Sequence, residues 1–128
     1  MRIELFEEIE AWKVARELTK QVYAITKQGP FGKDYGLRDQ IQRAASSVMA
    51  NIAEGFDGGS NREFLKFLGY AFRSTTEVQS HLYVAFDQGY LDQQKFEVLY
   101  DLTLQVKKLI SGFRRSLRSQ TRTSNIEH

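Results

Sequence analysis

With 128 residues, a net charge of +2 and no cysteine, the chain suits one domain that buries its own core, and disulfide staples and Cys-based zinc sites are excluded. No apolar run reaches the roughly 20 residues of a membrane span, and the acidic opening Met1-Arg2-Ile3-Glu4-Leu5-Phe6-Glu7-Glu8 is unlike the basic start of an export signal. These features predict a soluble protein of the cytoplasm.

A single proline, Pro30, leaves long stretches in which a helical apolar period can be followed. In the first, Ala11, Ala15, Leu18, Val22 and Ile25 form a stripe widened by Trp12 and Val14, with Lys13, Arg16, Lys20 and Lys27 on roughly the opposite face. That basic row reads either as a solvated surface or as a site for an anion. Gln28-Gly29-Pro30-Phe31-Gly32 ends the helix, because glycine adopts a left-handed cap and proline cannot continue the ladder.

A second helix starts between Asp34 and Leu37 and carries Leu37, Ile41, Ala44, Val48 and Ile52 on one face, with Gly55 and then Gly58-Gly59 marking its end. Ser60 and Glu63 have the spacing of a capping box for the third helix. That helix runs through Phe64, Phe67, Leu68, Ala71, Thr75, Val78, Leu82 and Ala85 to a stop at Gly89, and Asp92 caps the fourth. In the fourth, Phe96, Leu99, Thr103, Val106, Ile110, Phe113 and Leu117 keep a heptad rhythm. Four long amphipathic helices with short connections predict an all-α, up-down-up-down four-helix bundle over residues 1–118. Residues 119–128 lack a period and are expected to be a disordered tail.

Candidate chemistry is sparse. Asn51, on the inward stripe of the second helix, either satisfies backbone groups near Gly55 or joins Glu54 and Glu63 in a small-ligand or catalytic pocket. Arg43 and Glu54 share a face but lie too far apart to pair, which leaves Glu63, Arg73 and Glu77 as candidate partners; Arg73 and Glu77 can also pair with each other. His81 and His128 cannot build a histidine metal site, and no phosphate-binding glycine loop or nucleophile with a base stands out, so no catalytic residue, metal or cofactor is expected and the protein is read as no enzyme.

The charge distribution says more. Residues 1–10 hold four acids and one arginine, whereas 107–122 hold six basic residues and no acid, an asymmetry that points to an anionic partner. Lys107, Arg114 and Arg118 form one row beside the heptad seam, and Lys108 and Arg115 a second. Nucleic-acid phosphates are the partner this arrangement fits, with Lys13, Arg16 and Lys20 as secondary contacts; a helix end whose dipole favours cations is the competing account, and an acidic protein surface is the alternative partner.

The segments Phe6-x-x-Ile9-x-Ala11-Trp12-Lys13-x-Ala15, Gln40-x-x-Arg43-Ala44-Ala45-x-Ser47-Val48, Asn51-Ile52-Ala53-Glu54-Gly55-Phe56 and Glu63-Phe64-x-x-Phe67-Leu68 resemble the bacterial four-helix-bundle family encoded in intervening sequences of 23S ribosomal RNA genes, over about residues 6–118. The family's distant relatives are accessory proteins of diversity-generating retroelements, which act with a reverse transcriptase and bind nucleic acid. The resemblance implies a closed ring of subunits, a homopentamer, with basic surfaces open to RNA or DNA, and makes Arg43, Asn51, Glu54, Gly55 and Glu63 a family motif with an architectural role. The chain departs from the pattern at Gln42-Arg43, where the family often has two arginines, at Met49, where it has a proline, and at Ala71-Phe72-Arg73-Ser74, where it has Ala-Arg-Gly-Ser.

Overall fold

The computed structural model describes the backbone of residues 2–127 and the side chains of residues 2–120. After a 3-10 turn at Phe6–Glu8, four helices follow: α1 (Glu10–Ile25), α2 (Tyr35–Asp57), α3 (Asn61–Asp87) and α4 (Gln93–Glu127). Each helix packs against its chain neighbours, and α4 closes against α1, so the predicted four-helix bundle is the observed fold. The backbone of α4 stays helical into the stretch that composition assigns to a tail from Ser119; side chains from Thr121 onward, and His128 altogether, lie outside the described residues. Among the described residues no helix is long and apolar enough to cross a membrane.

Local chemistry sets the helix ends. Asp34 caps α2 by accepting the Leu37 N–H at 3.2 Å, and Asp92 caps α4 by accepting the Lys95 N–H at 2.7 Å. Past α3, Gly89 takes φ +76°, and the Tyr90 N–H reaches the Ala85 carbonyl at 2.9 Å while the Gly89 N–H reaches that of Phe86 at 3.0 Å. This paired geometry satisfies carbonyls that the helix end leaves open, and only a residue without Cβ enters it freely.

The stripes read from the sequence are buried as two layers of one core. Toward the α1 C-terminus, Leu18, Val22 and Ile41 meet Val78, Leu82 and Leu99; toward the other end, Ile9, Val48 and Ile52 meet Leu68, Val106 and Ile110. The heptad positions Phe96 and Phe113 are only partly covered and pack at the edges of these layers. Polar pairs cross between helices inside the apolar frame. Gln42 Nε2 donates to Thr26 Oγ1 at 2.9 Å, and the buried Gln79 donates through Nε2 to Thr103 Oγ1 at 3.0 Å, so neither amide is left as an unpaired buried donor.

Candidate nucleic-acid interface

In the motif stretch α2 and α3 pack in close contact. Gly55 does not end α2: the helix continues through Asp57, and the left-handed residue of the reversal is Gly59, at φ +87°. Gly55 is buried, and a Cβ built on it would lie 2.6 Å from Phe67 Cβ and 3.1 Å from Phe64 Cδ1. Its missing side chain is thus a clearance for α3, a use of glycine that the sequence does not distinguish from a cap. Ser60 caps α3 by accepting the Glu63 N–H at 3.1 Å, but among the described residues no bond returns from the Ser60 N–H to the Glu63 carboxylate, so the cap is one-sided where a reciprocal box is predicted.

Asn51 turns back along its own helix. Its Nδ2 donates to the Ser47 carbonyl at 2.9 Å and to Ser47 Oγ at 3.0 Å, and Ser47 Oγ shares a hydrogen bond of 3.1 Å with Ser74 Oγ on α3. The amide therefore joins α2 to α3 through two hydroxyls, one turn away from the groups near Gly55 that the sequence assigns to it. Arg43 and Glu54 are exposed, and among the described residues neither forms an ion pair; Glu77 approaches His81, at 3.7 Å, instead of Arg73. Of three surface concavities, one opens beside the end of the motif, between Phe56, Gly59, Ser60, Asn61 and Phe64 and the Phe113 and Leu117 side chains of α4, and none of the three is lined by Asn51, Glu54 or Glu63. Among the described residues no group of three or more His, Asp and Glu side chains could hold a metal ion.

The two basic rows of α4 face different surroundings. Lys107 points into the α3–α4 seam, donating from Nζ to Gln79 Oε1 at 2.7 Å with the Phe72 ring 4.8 Å away. Burial holds its ammonium below the usual lysine range. Arg114 leans the same way, with its guanidinium over Gly69: a Cβ there would sit 3.6 Å from one terminal nitrogen. Lys108, Arg115 and Arg118 are exposed. Lys108 and Arg115 flank an open groove of about 580 Å³ floored by Leu109, Gly112 and Phe113.

Contacts between Phe64 and Phe113, Gly69 and Arg114, and Phe72 and Lys107 set the start of α3 beside the end of α4. Exposed Arg62, Lys66 and Arg73 thus lie on the segment of α3 that runs beside the α4 cations, with Lys66 turned toward the Phe67 ring, 5.9 Å from its centre. Three on α3 and five on α4 make eight cations, against one acid, Glu63, within residues 61–76 and 102–118. The α3 members are missed when each helix is read alone; antiparallel pairing of α3 with α4 is the signal that finds them. Across the same end, Glu7, Glu8, Glu10, Glu54 and Asp57 lie on the start of the chain and the end of α2, which pack together. The bundle end is thus acidic on one side and basic on the other.

The secondary row on α1 is split. Arg16, Lys20 and Lys27 surround a shallow groove of about 450 Å³ with Thr19, Tyr23 and Met49. Lys13 lies outside it and meets Glu10 at 3.3 Å in an exposed pair, of a kind that contributes little. Arg16 stands 5.8 Å from the centre of the Trp12 ring, which Phe6 meets edge-on at 5.2 Å.

No curated protein matches the chain. Among solved structures, a protein of unknown function from the S23 ribosomal protein family of Bacteroides thetaiotaomicron VPI-5482 is similar, with a TM-score of 0.75, 20% sequence identity, and coverage of 82% of this chain and 95% of that one. At that identity the likeness speaks for the fold. The family model described as 23S rRNA-intervening sequence protein matches residues 7–112, from the 3-10 turn to the middle of α4. The chain belongs to the 23S rRNA-intervening sequence protein family.

Proposed function

We propose that this protein is a non-enzymatic, self-assembling cytoplasmic bundle that binds structured RNA or DNA through the basic side of its α3–α4 end. The observation that carries this reading is the segregation of eight cations with one acid on two adjoining helix segments, a concentration of charge suited to a phosphate backbone. Lys108, Arg115 and Arg118, exposed and unburdened by the seam, are the main contacts; Arg16 and Lys20 supply a weaker surface on α1. Assembly into a homopentameric ring follows the family resemblance, and acidic and basic sides at one end are complementary surfaces for such a contact.

A filter-binding titration against a structured RNA and a duplex DNA at rising salt tests the proposal. Affinity falls steeply, with each phosphate contact adding about 0.7–0.9 to the log–log slope. Reversing Arg114, Arg115 and Arg118 to Glu weakens binding and flattens the slope. Absence of affinity for either nucleic acid at low salt defeats the reading. The alternative is a scaffold for a protein partner such as a reverse transcriptase, favoured by the exposed apolar side chains of Val98 and Leu104 on α4. Under it, with the basic rows serving an acidic patch of that partner, the same reversal leaves RNA and DNA binding unaltered and abolishes capture of the protein.

A further inference from the structure

Two exposed features belong neither to the core nor to the basic end of the bundle. The first is a patch of rings on the α3–α4 seam. Tyr83 is 50% exposed and Phe86 38% exposed, and half-buried Phe96 and Tyr100 stand across from them on α4. Tyr83 meets Phe96 at 5.0 Å and Tyr100 at 5.6 Å, and Phe86 meets Phe96 at 5.1 Å. Acids frame these rings: residues 83–101 hold Asp87, Asp92, Glu97 and Asp101 against one cation, Lys95, and all five are exposed. Asp87 lies one turn past Tyr83, and Glu97 and Asp101 lie one turn apart beside Tyr100.

The second feature is the groove on α1. Arg16, Lys20 and Lys27 surround Tyr23, which is 40% exposed, and Met49 of α2. Residues 13–27 hold four cations against one acid, Glu17. Helix α1 packs against α2 and α4, and α3 packs against the same two, so the α1–α2 side that carries the groove is opposite the α3–α4 side that carries the rings. Both features lie at one height of the bundle, since Leu18, Val22 and Ile25 behind the groove share a core layer with Leu82 and Leu99 behind the rings.

Exposed apolar groups with a polar rim mark protein contacts. Acids at the rim repel an anionic partner and favour cations, which are also attracted to the faces of the rings. The groove presents such cations together with a tyrosine and a methionine. Charge also sets the orientation. With two copies parallel, the acidic patch of one meets the basic groove of the next, and at the other end of the bundle a basic side meets an acidic one. Turned end over end, the same two sides bring like charges together at both heights. Because patch and groove lie at one height, repeating the contact adds no climb along the helices, which favours a closed assembly over a screw.

We infer that a second copy of this chain docks its α1 groove, in parallel, on the acid-framed rings of α3–α4, with Arg16 and Lys20 set against Glu97 and Asp101 and Tyr23 against the exposed rings. This rests on the self-assembly in the reading above and names its contact; nucleic acid takes no part in it.

Sedimentation velocity at micromolar concentration tests the contact, with circular dichroism to confirm that the helices of each variant are intact. The unaltered chain is expected to sediment well above 14.8 kDa. Glu97→Lys combined with Asp101→Lys, and separately Arg16→Glu combined with Lys20→Glu, are each expected to sediment as single chains. An equal mixture of the two variants is expected to regain the larger species, since the reversed patch of one suits the reversed groove of the other. Assembly that survives either reversal, or a mixture that stays at the mass of one chain, overturns the inference and leaves self-assembly through another surface standing. Dissociation by the patch reversal alone identifies a two-fold pairing of the rings with the basic end and overturns it as well. An unaltered chain that sediments at 14.8 kDa defeats both the contact and the self-assembly.

Discussion

Gly55 and Gly112 show how differently two glycines inside helices can act. At Gly55 an added Cβ collides with Phe67 Cβ, an atom tied directly to the α3 backbone, whereas at Gly112 nothing lies within 4 Å. Gly55→Ala is expected to destabilise the bundle by about 1–3 kcal/mol, because the strain of overpacking exceeds the roughly 1 kcal/mol that alanine gains in a helix. Gly112→Ala, with the helix preference alone in play, is expected to stabilise by up to about 1 kcal/mol. Urea unfolding of both variants checks the opposite signs. The sequence marks Gly55 as special but places it at a helix end, since a left-handed cap and a close approach call for the same residue and differ only in φ and neighbours. Lys107 carries a similar lesson. As one member of a basic row it looks like its companions, and only the Gln79 acceptor, 28 residues away in the chain, reveals that its ammonium is held in the seam.

At the scale of the elements, Asp34 does two tasks with one carboxylate. One oxygen caps α2, and the other accepts a 2.9 Å hydrogen bond from the Tyr90 hydroxyl, tying the α3–α4 turn to the start of α2, while the Tyr90 ring stacks on the buried Phe31 at 5.1 Å. The hydrogen bond to Asp34 and then burial raise the Tyr90 pKa above its ordinary value of 10.0. Because the fold favours the protonated phenol, this tie contributes fully below about pH 10 and is lost as pH climbs through the raised folded value. Tyr90→Phe is expected to lower the melting temperature at neutral pH and to shrink the further fall above pH 10, as thermal melts from pH 7 to pH 11 would record. Local signals made the Ser60 and Asp92 N-caps and the Gly89 stop legible, since each needs only a few consecutive residues. The Tyr90–Asp34 tie and the Thr26–Gln42 and Gln79–Thr103 pairs depend on how whole helices are rotated and set in height against each other, which apolar period alone leaves open.

For the whole molecule, the period of the apolar stripes was enough to obtain the bundle, because alternate burial of four long faces has few compact solutions. The basic end was only half legible: its α4 residues are adjacent in sequence, but Arg62, Lys66 and Arg73 come to run beside them only through antiparallel packing. Opposed acidic and basic sides at that end lead us to expect sedimentation at micromolar concentration to reveal species well above the 14.8 kDa of one chain, giving way to smaller ones as salt screens the contact. A single 14.8 kDa species at low salt would refute the assembly. One detail of α1 bears on how such experiments can be followed. Trp12 is the sole tryptophan, and the Arg16 guanidinium lies within cation–π range of its ring. The indole emission is therefore a native reporter of where Arg16 is. It shifts when an anion draws that arginine off the ring and stays unchanged when a ligand occupies α4 alone, so unlabelled protein can tell its two basic surfaces apart by colour.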